Sequence, residues 1–584
     1  MFPGGFFLLV NCVILIIHNQ CPKMNFHTVF SCLFPVALLV FSTNTQPKIT
    51  GIDLINKSVK QYEKAEWNIK TVAIYVNPYN QKDITVDMHL ISPSGKPITL
   101  PCYFESGDTI SALWKARFTP GEAGKYSYTF SVQNKSGQAM SASGSFISIP
   151  SQKPGFLHAN TLWTFKFDNG QLFRGIGENV GWESRSFENP KWTYDYLLPT
   201  LAKNGANFFR TWMCYWNMPL EWQKVGSTNR YTNSDKYFNP GAIKRMDELV
   251  QLTDSLHLYF MLTLDWHGHL MENGGWRNSP YNITNGGPAK TPTEFFTLRS
   301  ARDKYKNKLR YVIARWGYST NITAFEFFNE IDNAAFNSAD SVLIPHDAIT
   351  QWHDEMARYL KDIDPYGHMV TTSISHRDIM GMNSIACIDF NQKHIYKHTE
   401  KIPAIYPDYN KTFGKPYVVA EFGYRWEDDD PKYGEGFDYD YKRGLWYGLF
   451  SPTPILPMTW WWELFDTRNM TPYFNGVREI SDEMLKAGGG DFEPFIVSAD
   501  RLQCYGLKCG NKYFIYLLNN TGENILSPVS FSILSGNKIT VQSFDPGIRQ
   551  FKSLTAFAKE NGNLCLNNID LKAKKEMILI VSIK

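Results

Sequence analysis

Phe325-Glu326-Phe327-Phe328-Asn329-Glu330 is a strand-like run ending in Asn-Glu, and Tyr417-Val418-Val419-Ala420-Glu421-Phe422-Gly423 is a second such run with a Glu near its end. Both are apolar and aromatic, as a strand buried on both faces of a parallel sheet must be. Each nevertheless places a carboxylate at or near its C-terminal end, where burial is costly. If both strands belong to one barrel, the two carboxylates face each other across its C-terminal mouth.

Working outward, further strands are expected over 172–177, 206–212, 258–264, 323–328, 369–373, 388–394, 417–420 and 455–461, with helices over 194–204, 243–255, 302–316, 346–363 and 440–449. Eight strands alternating with helices predict an α/β fold, a (β/α)8 TIM barrel over residues 155–487. Before it, residues 47–150 carry short alternating strands at 71–76, 84–90, 113–118 and 126–130, the pattern of an antiparallel β-sandwich. After Lys486-Ala487-Gly488-Gly489-Gly490 the strand pattern returns, at 512–518 and 576–581, and predicts a C-terminal all-β domain over 491–584.

The chain of 584 residues is long enough for these three units. Its formal net charge of +3, from 59 basic and 56 acidic side chains, supplies no surplus to neutralise a phosphate backbone, so nucleic acid is not an expected partner. Aromatics reach 15% with 17 Trp, more than cores of this size need, and flat rings also bind the C–H faces of sugars. At the N-terminus, apolar runs over 6–17 and 29–41 lie in a segment without acidic residues. Each is shorter than the ~20 residues that span a bilayer, so residues 1–46 read as a targeting segment, with Met24 an alternative start, and the mature chain is expected to be secreted or periplasmic without a membrane span. Neither Cys21 nor Cys32 sits in a convincing lipidation signal. The six cysteines beyond residue 46 are scattered, and Cys504 and Cys509 alone are close enough in sequence to leave a disulfide open.

Four other acids follow strand ends: Glu178, Asp265, Glu463 and Asp466. Each could serve chemistry or pair with Arg210, Arg174 or His267. His267-Gly268-His269, with Glu272 beyond, could be read as metal ligands, but the favoured reading makes His267 a hydrogen-bonding residue and His269 a loop residue. Glu427-Asp428-Asp429-Asp430 could suggest calcium, but an acidic loop is more often simply solvated. No metal and no cofactor are expected.

The runs Phe327-Phe328-Asn329-Glu330 and Val419-Ala420-Glu421-Phe422-Gly423 resemble the ends of strands four and seven in clan A glycoside hydrolases, the barrel superfamily that includes cellulases, mannanases and β-galactosidases. Arg210, His394-Ile395-Tyr396 and Trp460-Trp461-Trp462 follow that clan's order. The resemblance implies a retaining enzyme acting on a polysaccharide or its oligosaccharides, with Glu330 as general acid/base and Glu421 as nucleophile. It further implies that Asn329 bonds the sugar 2-hydroxyl, that Arg210 and Tyr396 orient Glu421, that His267 and His394 lie at the substrate, and that Trp461 with its neighbours offers a stacking floor. Glu330 then needs a raised pKa and Glu421 must stay ionised. The N-terminal sandwich resembles a domain of unknown function found ahead of bacterial glycan hydrolases. A glycan-binding protein on a degenerate barrel and a transglycosylase are the competing readings.

Overall fold

The computed structural model describes residues 46–583 apart from 109, 187–189, 272–273, 336–343, 534–537, 556 and 561. The expected targeting segment up to residue 45, and Glu272, therefore lie outside the described residues.

The first 100 or so described residues form two sheets around one core, antiparallel except where Ser58–Lys60 pairs parallel with Gly144–Ile149. A four-stranded sheet runs in the order Lys48–Leu54, Ala65–Val72, Ser111–Phe118, Tyr103–Gly107, and a six-stranded sheet is built on Ile84–Ile91 and Gly124–Asn134. Alternation makes the core: Ala65, Trp67, Ile69 and Thr71 point inward from one strand, and Ile84, Val86, Met88 and Leu90 from another. The strand expected over 71–76 lies earlier, at Ala65–Val72, because the inward-facing set begins at Ala65. Two more antiparallel sheets close the chain, with Lys512–Leu518 and Glu576–Ile583 paired at the centre of the larger one. Cys504 and Cys509 lie on one extended strand, Gln503–Cys509, five residues apart and so on opposite faces, and both are free. The disulfide is therefore excluded by strand geometry.

Between these regions the sheets are parallel. Gly177–Asn179, Phe208–Trp212, Tyr259–Trp266, Ile322–Asn329 and Met369–Thr371 form one in that order, and Ser373–Ile374, Asn391–Tyr396 and Tyr417–Gly423 form the next, with Thr372 alone separating the two. Every residue of Ile322–Asn329 and Tyr417–Gly423 is buried, as their apolar runs require. Helices alternate with the strands. His346–Ile363 lies where expected, and its buried residues Ile349, Trp352, His353, Met356 and Leu360 recur at helical spacing.

Two expected strands differ. Residues 172–177 divide into Leu172–Phe173, paired antiparallel with Phe165–Phe167, and the parallel strand Gly177–Asn179. A side chain at Gly177 would collide with the Phe208 carbonyl, so glycine permits this close approach. Residues 455–461 form no continuous strand, because Pro454 and Pro457 have no N–H to donate. The segment is still bonded on both sides: Gly175 N donates to Pro454 O at 2.8 Å and Asn179 N to Thr459 O at 3.0 Å, while Met458 N donates to Val419 O at 3.1 Å and Phe422 N to Met458 O at 3.0 Å. Helices Ile402–Phe413 and Phe474–Gly488 were not expected. The first carries Pro403 in its first turn and Pro407 inside it, which hid the signal, whereas the second buries Phe474, Val477, Ile480 and Met484 at legible spacing.

The N-terminal sheets dock through partly buried ion pairs. Arg117 reaches Asp247 at 2.9 Å and the Arg315 carbonyl at 3.1 Å, and Arg315 bonds Asp247 at 2.7 Å and Glu105 at 3.0 Å. The C-terminal sheets dock through aromatics: Trp446 stacks on Tyr516 with centroids 5.9 Å apart, and the hydroxyl of Tyr516 donates to Glu576 at 3.0 Å. No helix among the described residues is long and apolar enough to cross a membrane.

Arg174 secures the base of the proline-containing segment. Its guanidinium is buried, has no carboxylate partner among the described residues, and donates to the carbonyls of Gly448, Leu449, Ser451 and Thr453 at 2.9 to 3.2 Å. These are the last carbonyls of helix Gly434–Leu449 and the turn beyond it, where a cation complements the helix dipole. Burial alone pushes the Arg174 pKa down to about 10, so it remains charged at neutral pH. Arg174→Met takes the donor from four carbonyls, of which Gly448 and Ser451 keep a backbone partner in Ser451 N and Thr453 N, and is expected to cost about 3 kcal/mol, read as a fall in the thermal midpoint; an unchanged midpoint would refute the assignment.

Candidate active site

Four parallel strands deliver their C-terminal residues to one buried arginine. Arg210, from Phe208–Trp212, donates Nε and Nη2 to the two oxygens of Glu326 at 2.7 and 2.8 Å. It donates Nη1 to Glu421 at 2.7 Å and to Asn179 at 3.1 Å, and Nη2 to Asn329 at 2.8 Å. All five N–H donors of the guanidinium are thus used. Glu326 also accepts from Thr263 at 2.8 Å. Burial works against the Glu326 charge, but Arg210 outweighs it and holds the carboxyl below the ordinary glutamate range.

Glu421 accepts from Arg210 on one oxygen and from the Tyr396 hydroxyl, at 2.7 Å, on the other. Glu330 ends the neighbouring run with a left-handed backbone, φ 50°, its N–H donated to Ser373 at 3.0 Å. That turn swings the chain from strand Ile322–Asn329 into helix Ile331–Ala335. One oxygen of Glu330, one of Glu421 and a ring nitrogen of His394 lie within 4.8 Å of one another. His394 Nδ1 is 2.8 Å from Glu330 and 3.4 Å from Glu421. Burial pushes the His394 pKa down to about 4, so the ring is neutral, and Nδ1 between two carboxylates is its protonated nitrogen.

Burial raises the pKa of both Glu330 and Glu421. The expected contrast between them therefore rests on their partners rather than on direction: Glu421 has a guanidinium and a phenol, Glu330 a neutral imidazole and an amide. Asn329 presents its amide oxygen to Arg210, which leaves its NH2 as the donating end. His267 Nδ1 donates to the Asn329 carbonyl at 3.1 Å and lies 3.9 Å from Glu330. Sequence reading thus named eight residues, and the structure gathers seven of them, Arg210, His267, Asn329, Glu330, His394, Tyr396 and Glu421, into one connected cluster. Trp461 stands at the rim with a left-handed backbone, its indole N–H donated to the Arg425 carbonyl at 2.8 Å. Trp426 on that same loop is 62% exposed.

The remaining strand-end residues are corrected. Asp265 turns to Lys308 at 2.8 Å, and Lys308 also holds Glu221 at 3.1 Å, so this carboxylate belongs to a buried ion network. Glu178 is buried beside the Asn179 that reaches Arg210, and alternation along a strand sends it to the other face. Asp466 accepts from Trp192 at 3.2 Å and pairs with Lys191, and Glu463 is half-buried. His269, expected in a loop, stands in the short 3-10 turn His267–Leu270 and is buried between Trp222, Tyr281, Phe295 and Phe328. The acidic run is paired rather than merely solvated, Glu427 with Lys397, Asp428 with Arg425 and Asp430 with Lys432. Sequence reading missed Glu326, whose signal was a lone acid in the middle of an apolar strand. It also missed an aromatic cluster at the loops, in which Trp182 packs on Trp216 and Trp460 at 5.4 Å and Trp266 on Trp216 at 5.0 Å.

Residues 58–133 match the family described as a domain of unknown function, DUF5060. A mannan endo-1,4-β-mannosidase of Podospora anserina is 22% identical over 259 residues, 39% of this chain and 64% of that relative, so the match spans less than two thirds of the relative's length. Among solved structures, a candidate glycoside hydrolase of Bacteroides vulgatus superimposes with a TM-score of 0.62 at 14% identity, covering 91% of this chain and 100% of that one. An endoxylanase of Clostridium papyrosolvens gives 0.44 at 14% identity, over 74% and 100%. The likeness to glycoside hydrolases read from the strand ends is met in both kinds of comparison.

Arg210→Met would leave Glu326 buried and unpaired. It is expected to destabilise the chain by about 3 to 5 kcal/mol, measured by denaturant unfolding, and a loss of well under that range would show that Glu326 finds another partner.

Proposed function

We propose that this chain is a retaining glycoside hydrolase that cleaves β-linked polysaccharide by double displacement. The observation that carries the reading is the pair of carboxyls at the ends of two parallel strands, Glu421 buried and Glu330 mostly so, with one oxygen of each within 4.8 Å of the other. Retaining enzymes hold their carboxyl groups about 5 to 5.5 Å apart, whereas inverting ones need roughly 6.5 to 9.5 Å to admit a water. The parallel strands are read as a (β/α)8 barrel over 155–487, with 454–460 as its eighth member, between an N-terminal β-sandwich over 47–150 and an all-β domain over 491–584. The hydrogen bonds on both sides of 454–460 support that closure. Residues 1–46 are read as an export signal.

In the first step Glu330, kept protonated by burial, donates its proton to the leaving oxygen while ionised Glu421 attacks the anomeric carbon. Arg210 and Tyr396 hold the attacking carboxylate in its ionised form and in one orientation. Once the ester forms, the charge of Glu421 is gone, the pKa of Glu330 falls, and Glu330 takes a proton from the water that releases the sugar. The NH2 of Asn329 is the donor offered to the sugar 2-hydroxyl. Trp461 and the exposed Trp426 offer ring faces at the rim, and His267 fixes the Asn329 backbone. The Asn- and Trp-containing sequence over 271–278 favours a neutral sugar, with Arg277 and Lys290 leaving an acidic or sulfated one open, and the similarity to a mannosidase puts β-mannan first among substrates to test.

A panel of β-mannan, xylan, cellulose and galactan, read by reducing ends and product size, tests the activity. Glu421→Ala is expected to abolish it and to regain turnover with azide, yielding a glycosyl azide of inverted configuration; no rescue on any hydrolysed substrate would count against the nucleophile. Tyr396→Phe removes a donor that favours ionised Glu421, so its already raised pKa rises further. Activity is lost as pH falls through that pKa, so the acid limb of kcat/KM should move to higher pH; an unmoved limb would contradict the role given to Tyr396.

A further inference from the structure

Glu330 is held on both oxygens, and the second holder belongs to none of the groups identified from sequence. His394 Nδ1 donates to Oε1 at 2.8 Å, and Asn333 Nδ2 donates to Oε2 at 2.8 Å. Asn333 stands three residues on, in the short helix Ile331–Ala335 that the left-handed turn at Glu330 introduces. An amide can present either end, and here the choice is fixed: Arg377 Nη2 donates to the Asn333 carbonyl oxygen at 2.7 Å. The loop that brings Arg377 is itself pinned by Asp332, which accepts from the Ser375 N–H and hydroxyl, both at 2.6 Å, and from the Arg377 N–H at 3.2 Å.

We propose that Asn333, with its amide locked by Arg377, is a positioning residue that holds the Glu330 carboxyl in one plane and favours its ionised form. This rests on the reading of Glu330 as acid/base. With one donor on each oxygen, the proton that Glu330 gives and takes is confined to the lone pairs left free. The clamp also opposes burial, so that Glu330 can release its proton in one half of the cycle as well as hold it in the other. The other charged or titratable groups facing Glu330 are His394 and Glu421, His267 at 3.9 Å, the Tyr396 phenol held on Glu421, and at longer range Arg210, Glu326 and Asp332. None of these is a neutral side chain with an oxygen pinned by a cation. Asn333 is therefore the one partner in this set whose donating end is dictated from outside the Glu330 cluster.

The test needs no knowledge of the substrate. Modification by a water-soluble carbodiimide with glycine ethyl ester, followed by peptide mass spectrometry across pH, reports the protonated fraction of Glu330, with half-buried Glu463 as internal reference. Asn333→Ala removes the donor, and Arg377→Met leaves Asn333 in place but frees its amide to turn. Both are expected to raise the Glu330 midpoint by about one pH unit, the shift that loss of a hydrogen bond to a charged group produces, while Glu463 stays fixed. An unchanged Glu330 midpoint in both variants overturns the proposal. A Glu330→Gln variant that keeps full activity would instead overturn the acid/base reading, and the labelling result would stand apart from it.

Discussion

The guanidinium of Arg210 is the constraint on which the site depends. It is fully buried, it faces two carboxylates, and its five donors reach side chains from three strands besides its own. A single planar fork with no unused donor fixes distances that no packing of apolar side chains could fix. Glu326 has a specific part in this. With Glu421 alone, the arginine charge would be neutralised by the carboxylate proposed as nucleophile; with Glu326 bound bidentate, the charge is balanced before Glu421 is considered, and the link to Glu421 is a single bond.

Around that hub, hydrogen bonding does what burial alone cannot. Burial raises Glu330 and Glu421 alike and drives His394 to the neutral state. Two like carboxyls in one pocket then differ through their donors. A cation and a phenol stand on one, an imidazole and a locked amide on the other. The difference between the two carboxyls is thus set by which strand end meets which neighbour, and that is decided by the register of the parallel ladder, in which His394 stands opposite Glu421.

Much of this was legible in the sequence, for identifiable reasons. Strand interiors such as Phe325-Glu326-Phe327-Phe328 cannot be mistaken when every residue is buried, and acids at their ends stand out against them. The helix His346–Ile363 was readable from apolar spacing alone. What escaped was of two kinds. Proline-containing segments, 454–460 and Ile402–Phe413, hold their places through tertiary hydrogen bonds and packing that local pattern does not carry. Side chains such as Glu326, Asn333 and His269 draw their meaning from partners distant in sequence: Glu326 from Arg210, Asn333 from Arg377, His269 from four rings on separate segments. For His269 the same residue types in the same order suggested a loop, since nothing in His267-Gly268-His269 reveals the rings that bury it.

The grip of Arg174 on the turn before 454–460 has a consequence for how the chain reaches this state. Its partners lie 274 to 279 positions further along, and Gly175 bonds into the same late segment. During synthesis the strand Gly177–Asn179 therefore emerges with one neighbour missing, and an edge of unpaired N–H and C=O groups persists until the ribosome has passed residue 460. Contacts of such long sequence separation are slow to form because loop closure must precede them. A nascent chain with an open edge of this kind is the species most exposed to mispairing, and any holding factor that acts on this protein would be needed longest at its first parallel strand.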